Sequence, residues 1–202
     1  IKWTADDGVW AKMRANLTHQ TSHTSDWNNS AYDGHDIQVR ETFIEMGGFE
    51  FNPSTVFWAG KRYSQMEISS HQCSYDYLQN NGTGGGFENM DLGIFKWDLG
   101  FYSYATGDQD PNNETNKQGL GDEFSINTWA HAIGGTGLDI QLKYVNLTGT
   151  VKADKDYKYV TEPAQEGKLI SVLYNTPGFF WFGNGYGKIC FQYAKGADAG
   201  TR

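Results

Sequence analysis

The sequence has no run of about 20 apolar residues, so it holds no membrane-crossing helix. No secretory leader is visible at the start. "IKWTADDGVW" reads as mid-strand, so Ile1 is not taken as a natural beginning. Positive charge is scarce: 16 Lys and Arg stand against 24 Asp and Glu, for a formal net charge of −8. Without a Lys/Arg-rich run or a basic stripe, a nucleic-acid partner is not expected. There are two cysteines, Cys73 and Cys190, and neither a Cys-x-x-Cys nor a Cys/His cluster. They read as unrelated thiols, with a single disulfide as the alternative, and not as a zinc site. His19, His23, His35, His71 and His131 lack metal-ligand spacing, so no metal or other cofactor is expected. The carboxylates are scattered. Glu67 and Asp76 do not define a glycosidase pair, no Ser-His-Asp set stands out, and the chain is read as a non-enzyme.

Hydrophobic residues make up only 38%, yet aromatics reach 15%. Much of the apolar surface therefore sits on rings that suit boundaries between apolar and wet surroundings. Helical periodicity with capping signals is missing too. Alternation with period two is abundant instead. In "VWAKMRANLT", Val9, Ala11, Met13, Ala15 and Leu17 share one face, and Trp10, Lys12, Arg14, Asn16 and Thr18 the other. "FSINTWAHAI", "LDIQLKYVN" and "KICFQYAK" repeat the design. "MDLGIFKWDLGFYSYATG" reads as two strands joined by a turn near Lys96 to Asp98. "HTSDWNNSAYDGHD", "NNGTGGG" and "GDQDPNNETNKQGLGDE" read as loops. Roughly eight or nine strands of about 8–12 residues follow, with no domain boundary.

Alternation alone fits two architectures. The apolar face can point inward in a soluble β-sandwich, or outward into lipid in a membrane barrel. Three features favour the barrel. Lys12, Arg14, Asp139 and Lys143 stand in mid-strand, where a filled core has no use for them. Aromatics crowd strand ends in "GFYSYATG" and "PGFFWFGNGYG", like an interfacial girdle. Short turns alternate with long loops.

"STVFWAGKRYSQ" resembles the strand that enters the inward-folded third loop of the maltoporin family, the sugar-specific outer-membrane porins. "GGFENMDLGIFKWDLGFYSYATG" is similar to the family's next segment, "NNETN" to a following Asn-Glu-Thr loop, and "GNGYGKICFQYAKG" to a later strand ending in Gln-Tyr-Ala. These landmarks occur in family order over nearly the whole chain. The resemblance implies an all-β fold, an 18-stranded antiparallel transmembrane β-barrel. It also implies a homotrimer in the bacterial outer membrane, in contact with lipid and passing oligosaccharides. Residues 1–202 would be part of a single barrel domain, about half of a chain roughly twice as long. An aromatic slide would stack on sugar ring faces while polar tracks exchange charge-assisted hydrogen bonds with hydroxyls.

By the resemblance, Trp27 in "SHTSDWNNS" matches a loop Trp that reaches into a neighbouring subunit's pore. Tyr186 falls where the family places a slide Phe, and Arg40 in "VRETF" matches a polar-track Arg. The third loop, "SQMEISSHQCSYDYLQ", departs from the maltodextrin pattern because no Arg follows Gln65. Glu67 stands for the acidic track residue, His71 for the histidine, and Tyr75 or Tyr77 for the constriction Tyr, with Asp76 as an acidic neighbour. Maltodextrins, sucrose, β-glucosides and other oligosaccharides all stay open as substrates. Two other readings remain: a soluble β-sandwich carbohydrate-binding module with Trp27, Tyr75 and Tyr186 as its platform, and a general diffusion porin.

Overall fold

A computed structural model describes residues 1–20, 36–65, 79–105, 122–147, 151–153, 159–161, 165–179 and 181–196. The strands are β1 (Lys2–Thr4), β2 (Trp10–Gln20), β3 (Asp36–Gly47), β4 (Val56–Gln65), β5 (Gln79–Asp91) and β6 (Lys96–Ala105). They continue with β7 (Asp122–His131), β8 (Leu138–Leu147), β9 (Val151–Ala153), β10 (Tyr159–Thr161), β11 (Gln165–Phe179) and β12 (Phe182–Gly196). Ten of them form one antiparallel sheet in the order β1-β2-β3-β4-β5-β6-β7-β8-β11-β12, while β9 and β10 pair with each other. A single 3-10 turn, Ile133–Gly135, is the only helical element among the described residues. Every neighbour in the main sheet is the next strand in sequence, save that the short β9–β10 pair intervenes before β11. The backbone polar groups are thus satisfied by adjacent hairpins, as a membrane-type sheet requires.

Burial across this sheet runs opposite to that of a sandwich. In β8, Asp139, Gln141, Lys143 and Val145 are buried, with Gln141 1% and Lys143 5% exposed. Leu142, between them on the other face, is 50% exposed. Ladder partners carry this through the sheet: Leu142 opposes Ile170, and Met13 opposes Ile44, all four exposed. The buried polar or inner face includes Glu41, Ser125, Asn127 and Ser171. The outer face presents Phe101, Phe124, Ile189 and Phe191. Among the described residues this apolar side is the exposed one, the reverse of the apolar-inward packing of a β-sandwich. The architecture is all-β and antiparallel, consistent with part of a porin barrel.

Two bulges keep each face in phase. The β2–β3 ladder runs from Asn16↔Glu41 to Leu17↔Val39, which leaves Arg40 as one extra residue in β3. The β5–β6 ladder jumps from Phe87↔Leu99 to Met90↔Trp97, where Asn89 has φ 58 and its N–H donates to Asp98 Oδ1 at 2.7 Å. An inserted residue exchanges the faces of everything beyond it. At Arg40 this turns Val39 outward beside Leu17, and both are exposed.

The β5–β6 turn lies at 92–95, not at Lys96 to Asp98, which begin β6. Asp91 Oδ1 accepts the Gly93 N–H at 2.8 Å, Gly93 has φ +83, and the Leu92 N–H donates to the Phe95 carbonyl at 3.1 Å. An Asx-type turn of this kind needs the left-handed glycine that the alternation beyond it conceals. This turn is tied to its neighbours: Asn52 Nδ2 donates to the Asp91 carbonyl at 2.9 Å, and the Gly134 N–H to the Ile94 carbonyl at 2.8 Å.

"NNGTGGG", read as a loop, is instead strand within β5. Its glycines are needed because ladder partners press close. A Cβ at Gly84 would run into the Phe101 carbonyl, and one at Gly86 into the Leu99 carbonyl. Outer-face rings collect at the short-turn end, where Phe57 meets Phe87 at 6.2 Å and Phe87 meets Trp97 at 4.9 Å between centroids. Of the expected girdle, "GFYSYATG" splits: Phe101 is outward and exposed, whereas Tyr102 is buried on the inner face.

The contrast between two glycines is testable in the natural-length protein. Gly93→Ala places a side chain in open space at positive φ and should cost about 1–2 kcal/mol. Gly86→Ala meets backbone that cannot move aside and should cost more than that, about 3 kcal/mol, by analogy with severe overpacking. Denaturant midpoints followed by far-UV circular dichroism rank the two; equal losses would refute the close β5–β6 packing.

Candidate functional site

The inner face carries three groups of side chains, each assembled across neighbouring strands because antiparallel registry brings alternate residues side by side. The first lies on β2 to β6. Lys12 Nζ donates to Glu45 Oε2 at 2.8 Å, and Arg14 lies 3.8 Å from Glu41 Oε2. Arg62 on β4 contacts Glu88 on β5 at 2.9 Å. Its guanidinium sits 5.3 Å from the centroid of Phe43 and 5.1 Å from that of Trp58. The Trp58 and Tyr102 rings meet at 5.2 Å, tilted by 36°. They come from β4 and β6, and the intervening β5 offers only Gly84 and Gly86 opposite them in register. With no side chain between, two rings reach each other over the glycine strand.

Alternation also sorts the basic pair in the middle of "FWAGKRYSQ". Lys61 and Arg62 are adjacent and so face opposite ways. Lys61 is exposed on the outer side, its Nζ donating to the Val39 carbonyl beside the Arg40 bulge at 3.1 Å. Arg62 is the inner charge.

The second group stands near the short-turn end. His131 Nε2 lies 2.8 Å from Asp98 Oδ2, and Nδ1 3.7 Å from Asp139 Oδ2. The imidazole stacks on Trp129, with centroids 5.4 Å apart and planes 6° from parallel. Asn175 Nδ2 donates to Asp139 Oδ2 at 3.2 Å, and the Ala132 N–H to Asp139 Oδ1 at 2.8 Å. The carboxylates are held by protein donors, and among the described residues no group of three or more His, Cys, Asp or Glu is placed to hold a metal ion. The third group is uncharged: Asn127, Gln141, Ser171 and Gln192 span β7, β8, β11 and β12, and Gln141 Nε2 donates to Asn127 Oδ1 at 2.8 Å. Such a surface offers donors, acceptors and ring faces together, with several of its charges paired across strands.

Of the residues expected to contact sugar, Tyr186 alone has a described side chain. It pairs with Pro177 in register and shares the inner-face parity of Lys188, whose Nζ lies 5.9 Å from its ring centroid. Tyr186 is exposed and turned to the polar side rather than the apolar one. Arg40 is described in its backbone only, at the β3 bulge, a feature that re-aims strands near functional sites. Trp27, Glu67, His71, Tyr75, Tyr77 and Asp76 lie outside the described residues, as does Cys73. Cys190 lies on the inner-face row of β12, opposite Leu173.

The groups around Arg62 and His131 went unread in the sequence. Parity was the available signal: Trp58 and Arg62, or Trp129 and His131, share a face within one strand. Their acidic partners are separated by 26 to 33 residues along the chain, except Asp139. Within "GGFENMDLGIFKWDLGFYSYATG", the run "ENMDLG" resolves into structural roles, with Glu88 pairing Arg62, Asn89 forming the bulge, and Asp91 and Gly93 making the turn.

The LamB porin family model matches residues 1–202. Among curated proteins, the chain is similar to sequences named Maltoporin from three strains of Vibrio cholerae serotype O1, including an El Tor Inaba and a Classical Ogawa strain. Each is 27% identical over 185 residues, covering 90% of this chain and 38% of the relative. The chain therefore spans 38% of the length of these curated relatives, somewhat less than the half expected.

Ion pairs of the inner face should differ in worth with burial. Arg62→Met strands Glu88, whose side chain is only 23% exposed, and should cost about 2–3 kcal/mol, below the roughly 3–5 of a fully buried pair. Lys12→Met removes a Lys that is 43% exposed and screened by solvent but leaves Glu45, 14% exposed, without it, and should cost less, about 1–2 kcal/mol. Urea unfolding of the two variants measures the gap; a Lys12 loss as large as that at Arg62 would contradict the ranking.

Proposed function

The chain belongs to the LamB porin family, and on that premise we propose that residues 1–202 are part of a single β-barrel domain in a porin of the bacterial outer membrane. The whole protein passes oligosaccharides by facilitated diffusion and acts as a homotrimer rather than as an enzyme. The observation that carries this reading is the inversion of burial: polar Gln141 and Lys143 are inside and Leu142 outside on the same strand. Such a strand suits lipid on one side and a wet lumen on the other.

A passive sugar pore must bind weakly and repeatedly, so that its cargo both enters and leaves. Tyr186 serves as a slide residue, stacking its ring on the apolar face of a sugar. Its placement beside Lys188 on the polar side supports this, because a hydroxyl rimming the stacked sugar then has a charged donor within reach. Trp27 extends the slide from a loop. Arg40 belongs to the polar track, and its position at a bulge in β3 supports that role. Glu67, His71 and Tyr75 or Tyr77 line the constriction. Which oligosaccharide is preferred depends on that third-loop run, where the maltodextrin pattern is broken.

Sugar block of ion current tests the proposal. In planar bilayers the natural-length protein should conduct, and maltotriose, sucrose or a β-glucoside should reduce the current in a saturable way. Tyr186→Ala should weaken the block about fivefold to tenfold, the worth of one aromatic contact of about 1–1.5 kcal/mol, and leave open-channel conductance nearly unchanged. A conducting channel that none of these sugars blocks would make the protein a general diffusion porin instead.

A further inference from the structure

We propose that Lys168 and Lys195 bind the phosphate of a lipid headgroup in the membrane leaflet next to the long connections. The inference rests on the barrel reading above. Lys168 on β11 and Lys195 on β12 are direct partners in register. Both are exposed on the outer, apolar face, the side that would meet lipid. Like charges directly opposite in an antiparallel pair repel, with Cβ atoms only about 4.5–5.5 Å apart. On the inner face, by contrast, Lys12, Arg14 and Arg62 each lie against a carboxylate. No ion pair within the described residues joins Lys168 or Lys195 to an acid. Glu166, on the same face two residues on, leaves the cluster one positive charge in excess. An anion seated between the two ammonium groups relieves the repulsion.

Position says which anion. Lys168 is the fourth residue of β11 and Lys195 the penultimate residue of β12. Both therefore stand at the end of the sheet where the long connections emerge. The next outward pair towards mid-strand is Ile170↔Tyr193, and beyond it comes Val172↔Phe191. A ligand on this surface meets apolar side chains first and a double positive charge above them, the order of acyl chain and phosphate in a lipid. Free phosphate would use only the upper half of that surface. Among cations with described side chains, the outer face has only Lys61, Lys168 and Lys195. Lys61 also lies in the half of its strand nearer a long connection. The short-turn end of that face is aromatic instead, with Phe57, Phe87 and Trp97. The two rims of the lipid-facing surface thus differ in charge, as the two leaflets of an asymmetric membrane do. Juxtamembrane lysines gain from anionic headgroups at such a rim.

The natural-length protein in mild detergent is titrated with diphosphoryl lipid A, and separately with the same lipid after phosphate removal, by native mass spectrometry. The phosphorylated lipid should bind about tenfold more tightly, and K168Q/K195Q should remove that preference while K168R/K195R keeps it. Heat-modified electrophoretic mobility of the barrel verifies folding of each variant, and Lys195→Gln alone serves if the double variant fails to fold. An undiminished preference for the phosphorylated lipid in a folded Gln variant overturns the site. Conductance separates the two proposals. A channel that is blocked by sugar but shows no lysine-dependent lipid binding refutes this site alone. Lysine-dependent lipid binding by a protein that forms no channel supports the site and refutes the pore.

Discussion

Period-two alternation held in register across ten antiparallel strands is the constraint on which the rest of the molecule depends. In a sheet one layer thick, every residue is committed to one of two surroundings, and a slip by one position would exchange them all. Two register shifts, at Arg40 and Asn89, insert one residue each and are accommodated locally, and a third falls between Pro177 and Phe179 beside the β11–β12 turn. The first turns Val39 outward beside Leu17. The second lets Asn89 take a left-handed conformation and give its N–H to Asp98. Between and beyond these points the faces stay separate from β2 to β12.

Separation of faces has consequences for charge. The inner face concentrates groups of both signs that would be costly to bury singly, and it pairs them across strands: Arg62 with Glu88, Lys12 with Glu45, His131 with Asp98. Where they pair, charge is balanced locally. The aromatic members Phe43, Trp58 and Trp129 lie against these charges rather than apart from them, and Tyr102 lies against Trp58. Rings fit on the inner face because β5 has no side chains opposite Trp58 and Tyr102. The glycine run is therefore the steric condition for aromatic contact inside the sheet.

The outer face obeys a different rule. It needs no partners for its side chains if lipid is its solvent, so exposure of Leu142, Ile170, Ile189 and Phe191 is the expected state rather than a liability. The same residues in water would form an aggregation-prone surface. The two sides of the same strands therefore differ in chemistry, polar and paired within, apolar without. The short turns knit the two together at one end through Asn52, Asp91 and Gly134.

Much of this was legible in the residues themselves. Which side chains share a face in "LDIQLKYVN" or "KICFQYAK" follows from the strand repeat alone, because that geometry is local to four or five residues. The all-β class and the absence of a long apolar helix follow in the same way. Other features were concealed for want of a partner. "NNGTGGG" has loop composition, and only the backbones of β4 and β6 on either side hold it extended. The turn at 92–95 is hidden in the sequence because alternation runs on through Ile94 to Lys96. Tyr102, read as part of a girdle, is inward because β5 and β7 set its phase. Sequence by itself determined the two faces of each strand. Tertiary structure decided which face is inside, which charges meet, and where each strand stops, because those depend on hydrogen-bonded neighbours many residues away along the chain.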